Sequence, residues 1–208
     1  MKHYINHNFF ETIDTEEKAY WLGFIAADGN INETHYSISL SLAEKDYDHL
    51  IKFKESLSLD WLPKRKSKPK DFFNNKRQTE YISYVYSFGS IKMYHDLLYY
   101  GIFPRKSLDL KPPQNLSEGL IRHWIRGYFD GDGSVYFDEN HYLRLGITGT
   151  FDILEFISDF CHLSLIPKIN KNSYQILSGS MKARDFLGFI YNNSTIFLER
   201  KKKLYEES

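Results

Sequence analysis

Residues Leu22–Ile31 read LGFIAADGNI, and residues Arg126–Val135 read RGYFDGDGSV. Gly23, Asp28 and Gly29 recur as Gly127, Asp132 and Gly133, while Phe24, Ile25, Ala27 and Ile31 meet residues of similar kind in Tyr128, Phe129, Gly131 and Val135. A second echo lies downstream, GSIK at 89–92 and GSMK at 179–182. Each opens a helix-like run that leads to a basic turn, IFPRK closing at Lys106 and FLERK closing at Lys201. Two echoes in the same order make the chain a tandem of two similar halves. The link KPPQNLSEG at 111–119 carries Pro, Ser and Gly. It places the first half at 1–113 and the second at 114–208.

The periodicities predict α+β halves. A helix is expected over 15–27, with Thr15 as cap and Glu16 and Glu17 in the first turn, where negative charge is favoured. Its counterpart runs from about Ser117 to Gly131. Tyr36–Leu42 follows as an alternating strand with Tyr36, Ile38, Leu40 and Leu42 inward and Ser37, Ser39 and Ser41 outward. In the second copy Leu143, Leu145 and Ile147 alternate with Arg144, Gly146 and Thr148. Helices are expected near 46–57 and 151–163. Further strands are expected at 80–88 and, as a short hairpin, at 168–170 and 173–177, before each half closes with its GSxK helix. Tyr81, Tyr84, Tyr86 and Phe88 read as core.

Gly23 and Ala27 lie four apart, as do Gly127 and Gly131, so each pair forms a small-residue stripe on one helix face. Such stripes let two backbones approach closely. If the motif helices pack in parallel, Asp28 and Asp132 come together at their C-terminal ends. There a carboxylate opposes the helix dipole and the two carboxylates repel. A divalent cation reverses both penalties, and oxygen donors suit Mg²⁺, which activates water and stabilises phosphoryl charge. Asp130–Ser134 also looks like the start of a calcium loop. That reading fails at Val135, where glycine is required, and at His141, where the bidentate acid should stand.

WLGFIAADG (Trp21–Gly29) and IRGYFDGDG (Ile125–Gly133) resemble the two motifs of the LAGLIDADG homing endonucleases, a likeness that extends along essentially the whole chain. It implies two pseudo-twofold-related αββαββα halves packed through their motif helices, with saddle-shaped sheets along the DNA major groove. It implies a monomeric endonuclease that cuts both strands of a long asymmetric site with 3′ overhangs, using Mg²⁺, for which Mn²⁺ or Ca²⁺ can substitute in binding. The catalytic acids fall on Asp28 and Asp132, and the backbone carbonyls of Ala27 and Gly131 join the metal. Lys106 and Lys201 fall where the family places a basic residue near the scissile phosphates. Glu44, with Gly149 or Thr150 opposite, falls where a polar residue orders water. The motif's sixth position is usually Asp. Asp130 keeps it and Ala26 does not. The family also contains non-catalytic binders, intron RNA maturases and transcription regulators, so intron RNA stands as the alternative partner. Without splicing residues at either end, the chain reads as a stand-alone protein.

Composition bounds the rest. The chain has 208 residues, 42% hydrophobic and 26% charged, with 27 basic and 27 acidic side chains. Zero net charge argues against a uniformly basic nucleic-acid binder but not against separated charges. Residues 64–77, KRKSKPKDFFNNKR, hold Lys64, Arg65, Lys66, Lys68, Lys70, Lys76 and Arg77 against Asp71 alone, and 200–203 read RKKK. Outside these stretches 26 acidic residues face 16 basic ones. The expectation is a dipolar molecule whose basic face meets DNA. The 64–77 segment would be a loop on phosphates, and Ser37, Ser39, Ser41, Arg144 and Thr148 would read base edges, since a β-ribbon fits the major groove. The single cysteine, Cys161, excludes an internal disulfide framework. With no apolar leader and no span of about 20 apolar residues, an intracellular protein is expected.

Overall fold

The computed structural model describes residues 3–70, 79–163, 167–170 and 173–208. The first half runs α1 (Glu16–Asp28), β1 (Asn30–Asn32), β2 (Ser37–Ala43), α2 (Tyr47–Ser56), β3 (Lys64–Lys70), β4 (Thr79–Gly89) and α3 (Ile91–Tyr99). The second repeats it as α4 (Glu118–Asp132), β5 (Gly133–Phe137), β6 (Leu143–Gly149), α5 (Phe151–Phe160), β7 (Lys168–Asn170), β8 (Ser173–Gly179) and α6 (Ser180–Tyr191). A last helix, α7 (Glu199–Glu206), follows. Each half carries one antiparallel four-stranded sheet, ordered β1-β2-β4-β3 and β5-β6-β8-β7. The fold class is therefore α+β with two matching halves.

Helices α1 and α4 form the centre. Residues Ala19–Ala26 of α1 and Trp124–Asp130 of α4 are all buried, as expected of helices enclosed on every side. They pack in parallel and in register. A Cβ on Gly23 would lie 2.0 Å from the Trp124 carbonyl oxygen, and one on Gly127 would lie 1.9 Å from that of Tyr20. Further along, a Cβ on Gly131 would stand 2.4 Å from the Ala27 Cβ and 3.5 Å from the Asp28 Cγ. The small-residue stripe is thus a backbone-to-backbone seam, and it ends at the two aspartates. Thr15 caps α1 by accepting from the Lys18 N–H, and Ser90 caps α3 by accepting from the Met93 N–H.

The sheets place their apolar sides on the core. Ile38, Leu40 and Leu42 in β2, and Leu143, Leu145 and Ile147 in β6, are buried, and their alternates face away. Tyr36 departs from the alternation. It precedes β2 with φ of 47° and is 39% exposed, because it turns the chain rather than extending the strand.

The basic segment departs more. Residues 64–70 are not a loop but β3, an edge strand, where lysine and proline are the residue types that edges tolerate. Register with β4 puts Lys64 opposite Val85, Lys66 opposite Ser83 and Lys68 opposite Tyr81, on the outer face shared with Ser37, Ser39 and Ser41. Lys70 continues that register position. Arg65, opposite Tyr84, takes the other face and pairs with Glu80 at 3.5 Å. Lys76 and Arg77 lie outside the described residues. Tyr81, expected in the core, belongs to the outer face and is 48% exposed, whereas Tyr86 and Phe88 are buried as expected.

Candidate active site at the helix dyad

Asp28 and Asp132 close α1 and α4 and meet at the end of the seam. Each keeps a solvent-facing side, yet the atoms crowded behind remove much of its hydration. Burial raises both carboxyls above their ordinary range. Asp132 goes to about 6, with the neighbouring Asp28 charge as the second cause, and Lys106, Lys201 and the Tyr128 hydroxyl pull it partly back. Asp28 rises as well, again through burial first, with Lys201, Lys106 and Arg200 opposing and Asp46 adding to the rise. Two neighbouring acids that are both raised and sit at a surface are a functional-site signature.

Lys106 and Lys201 converge on this site, but not as free surface charges. The Lys106 ammonium donates to the carbonyls of Gly29 and, at 3.4 Å, Ala27. Lys201 is 1% exposed and donates to the carbonyls of Phe129 and Asp130, each at 2.7 Å, and of Gly131 at 3.5 Å. Burial drops Lys201 to about 8 and lowers Lys106 as well. Each ammonium seals the carbonyl end of its own motif helix, where carbonyls lack intrahelical partners and cations are favoured. The spacing of the repeats found both lysines; what they touch was not readable from it.

The remaining cations of the 200–203 run each stand beside an acid. Arg200 pairs with Asp46, Lys202 with Glu206 and over the Phe197 ring, and Lys203 with Glu207. Lys201 alone of the RKKK run is buried and fastens it to α4, while among the described residues the outer sheet faces carry their cations on β3 in the first half and at Arg144 and Lys168 in the second.

Glu44 lies in the short 3₁₀ turn Glu44–Asp46 after β2 and is exposed. Thr150 is committed elsewhere: it caps α5 by accepting from Ile153 and donates to the Leu110 carbonyl. Gly149 leaves room for the Tyr128 ring, whose oxygen would stand 2.5 Å from a Cβ there. Tyr128 itself was not singled out in the sequence, and its counterpart Phe24 has no hydroxyl. Arg144 pairs with Asp138 at 2.7 Å, and Thr148 shares its outer face opposite Gln175.

Behind the aspartates, Asp130 is buried and accepts from Tyr20, Tyr191 and the Leu198 N–H. The Tyr20 hydroxyl gives its one proton to Asp130, so His49 must donate to it through Nε2. That leaves Nδ1 of His49 buried without a partner among the described residues, and burial drops the imidazole to about 3. Asp130 thus ties α1, α4, α6 and the entry to α7 together, a structural role for the motif's sixth position. Glu16, read as a dipole residue, also reaches Arg126 at 2.6 Å and the Thr195 N–H at 2.7 Å.

No three His, Cys, Asp or Glu side chains gather as a metal cage among the described residues. The donor set at the dyad is two carboxylates plus the carbonyls of Ala27 and Gly131, which the lysines approach only at 3.4 and 3.5 Å. All are hard oxygens, and two crowded carboxylates fit a divalent cation that keeps part of its water shell. The pH dependence follows. Above pH 6 Asp132 is ionised in both the folded and unfolded chain, and folding bears the cost of the buried charge. That cost fades as pH falls from 6 to below 4, where both states are protonated. A cation needs the ionised form, so Mg²⁺ affinity measured by calorimetry should fall as pH drops through 6. Affinity that is flat from pH 7.5 to 5 would contradict this.

The homing endonuclease I-WcaI, bound to its DNA recognition sequence, superimposes with a TM-score of 0.60 at 14% identity, over 94% of this chain and 90% of that one. The LAGLIDADG meganuclease I-AabMI, bound to uncleaved DNA, gives 0.53 at 15% identity, over 89% and 86%. The fold is the LAGLIDADG fold. It extends to full-length DUF199/WhiA from Thermatoga maritima, with a TM-score of 0.51 at 17% identity, over 97% of this chain but only 64% of WhiA. No family model and no curated protein matches the sequence itself. At these identities the likeness establishes the architecture, and activity has to be argued from the dyad.

Proposed function

We propose that the chain is a monomeric, intracellular, site-specific endonuclease that hydrolyses both strands of a long asymmetric DNA site, with Mg²⁺ at the helix dyad. The observation that carries this is the meeting of Asp28 and Asp132 at the solvent-facing end of a backbone-to-backbone seam. Two like charges held together there cost stability, and Lys106 and Lys201 offset that cost only in part, since both carboxyls stay raised. A bound Mg²⁺ would activate water and stabilise charge on the phosphoryl oxygen. Asp28 and Asp132 would hold it, with the Ala27 and Gly131 carbonyls beside them. Lys106 and Lys201 keep those carbonyl ends in place and offset the carboxylate charge next to an incoming phosphate. Glu44 would order water at the rim of the Asp28 side.

The test is selection of cleaved molecules from a randomised DNA library with Mg²⁺. Recovery of one long asymmetric site cut with 3′ overhangs supports the reading. The alternative, a non-catalytic binder of DNA or intron RNA on the same fold, predicts selective binding and no cut product at any Mg²⁺ or Mn²⁺ concentration.

The outer face of β3 should supply much of the phosphate contact. Replacing Lys64, Lys66 and Lys68 together with Gln should make the slope of log affinity against log salt shallower by about 2 to 3. Filter binding across a salt series measures it, and an unchanged slope would move the DNA to another face.

A further inference from the structure

The basic turns of the two halves share more than a lysine. Each reads Arg-Lys, Arg105-Lys106 and Arg200-Lys201, and the function above uses only the lysines. The Lys201 ammonium is enclosed on the carbonyls of Phe129 and Asp130 and has little left for a substrate. Arg200 is different. Its Nε donates to Asp46 Oδ1 at 2.8 Å and its Nη2 to Asp46 Oδ2 at 3.1 Å, with 42% of the arginine side chain exposed against 9% of the aspartate. Asp46 ends the 3₁₀ turn of the first half and directly precedes α2, so this pair crosses from the second half to the first. It arrives beside the dyad: both Arg200 and Asp46 act electrostatically on Asp28.

A guanidinium has five N–H donors in a rigid fork. Asp46 occupies the Nε–Nη2 side. The Nη1 group and the second Nη2 hydrogen remain on the other edge, which matches two oxygens of a phosphate. We propose that Arg200 contacts the scissile phosphate at the Asp28 side of the dyad, with Asp46 as its positioning residue. This inference rests on the endonuclease reading and deepens it. The two sides are unequal. Arg105 has a left-handed backbone, φ 60° and ψ 29°, is exposed, and has no ion-pair partner among the described residues. The position that corresponds to Asp46, preceding α5, is Thr150. Only one of the two arginines is therefore held in advance, and the two strands depend differently on their guanidinium.

The experiment follows nicked and linear products separately from a supercoiled plasmid carrying the library-selected site. Arg200→Ala should slow one strand by about 10²- to 10³-fold, the range for losing a preorganised oxyanion donor, so that nicked circle accumulates. Target affinity should change only a few-fold. Arg200→Lys keeps a charge opposite Asp46, and with it the fold, and should still accumulate nicked circle because a point charge lacks the fork. Asp46→Asn should give the same nicked product with about a tenfold loss. Conversion of nicked to linear DNA at the wild-type rate by Arg200→Lys and Arg200→Ala, or equal slowing of both strands, would overturn the proposal. A wild-type protein that cuts nothing defeats the endonuclease reading itself, and the proposal falls with it.

Discussion

Asp28→Asn and Asp132→Asn should each reduce double-strand cleavage by about 10³-fold or more, the scale of losing transition-state charge stabilisation at a phosphoryl centre, while DNA binding persists. Asparagine keeps the size of the side chain and one of its oxygens, so the seam between α1 and α4 is undisturbed. What it removes is a negative charge at a point where two are crowded. Binding to a polyanion should therefore hold or strengthen. The apo fold should gain stability above pH 6, because the mutual repulsion that helps raise Asp132 to about 6 is gone. Loss of activity with a gain in stability is the pattern expected of a site kept at the expense of the fold. Plasmid linearisation, filter binding and thermal melting on the wild type, the two single variants and the double variant separate these effects. Full cutting by the double variant would remove the dyad from the mechanism. Cutting lost together with binding and folding would make the aspartates structural.

The double motif and the alternation of β2 and β6 made the architecture readable before any coordinates, because both patterns are local. The glycine stripe was readable because a repeat with small residues four apart has few other uses. The misreadings had physical causes. A run such as Lys-Arg-Lys-Ser-Lys-Pro-Lys has poor strand propensity and no apolar alternation, yet β4 supplies the pairing that makes it β3. Tyr81 follows from that error, since a loop at 64–70 hides the outer sheet face to which Tyr81 belongs. The RKKK run looked like a charge patch because sequence gives charge without partners. In the fold Lys201 turns inward onto the α4 carbonyls, and Asp46, Glu206 and Glu207 stand beside Arg200, Lys202 and Lys203. Around the site, the aspartates and lysines were legible from the repeat. Tyr128, Asp46 and Arg200 were not: Asp46 and Arg200 meet only across the halves, and Tyr128 reaches Asp132 and the Thr148 carbonyl only once α4 packs on β6. The one available signal was the second Arg-Lys pair.

The seam itself makes the sharpest structural prediction. Alanine is the better helix former than glycine by about 1 kcal/mol, so Gly→Ala in mid-helix should stabilise wherever there is room. At Gly127 there is none: the added Cβ would sit 1.9 Å from the Tyr20 carbonyl oxygen and 2.8 Å from the Phe24 nitrogen. At Gly23 it would meet the Trp124 carbonyl oxygen at 2.0 Å. Both obstacles are helix backbone, which cannot swing aside as a side chain can, so the two helices must separate. Gly127→Ala and Gly23→Ala should each lose about 3 kcal/mol, lowering the melting temperature by about 6 to 12 °C. Gly119, in the first turn of α4 with nothing within 4 Å of its Cβ position, is the control. Gly119→Ala should hold or raise stability by a few tenths to about 1 kcal/mol. Melting curves followed by circular dichroism decide it. Equal melting temperatures for the three variants would mean that the helices do not meet through their backbones. Any variant that does fold with its helices wedged apart should also hold Asp28 and Asp132 farther from each other, so that its Mg²⁺ affinity falls in step with its stability.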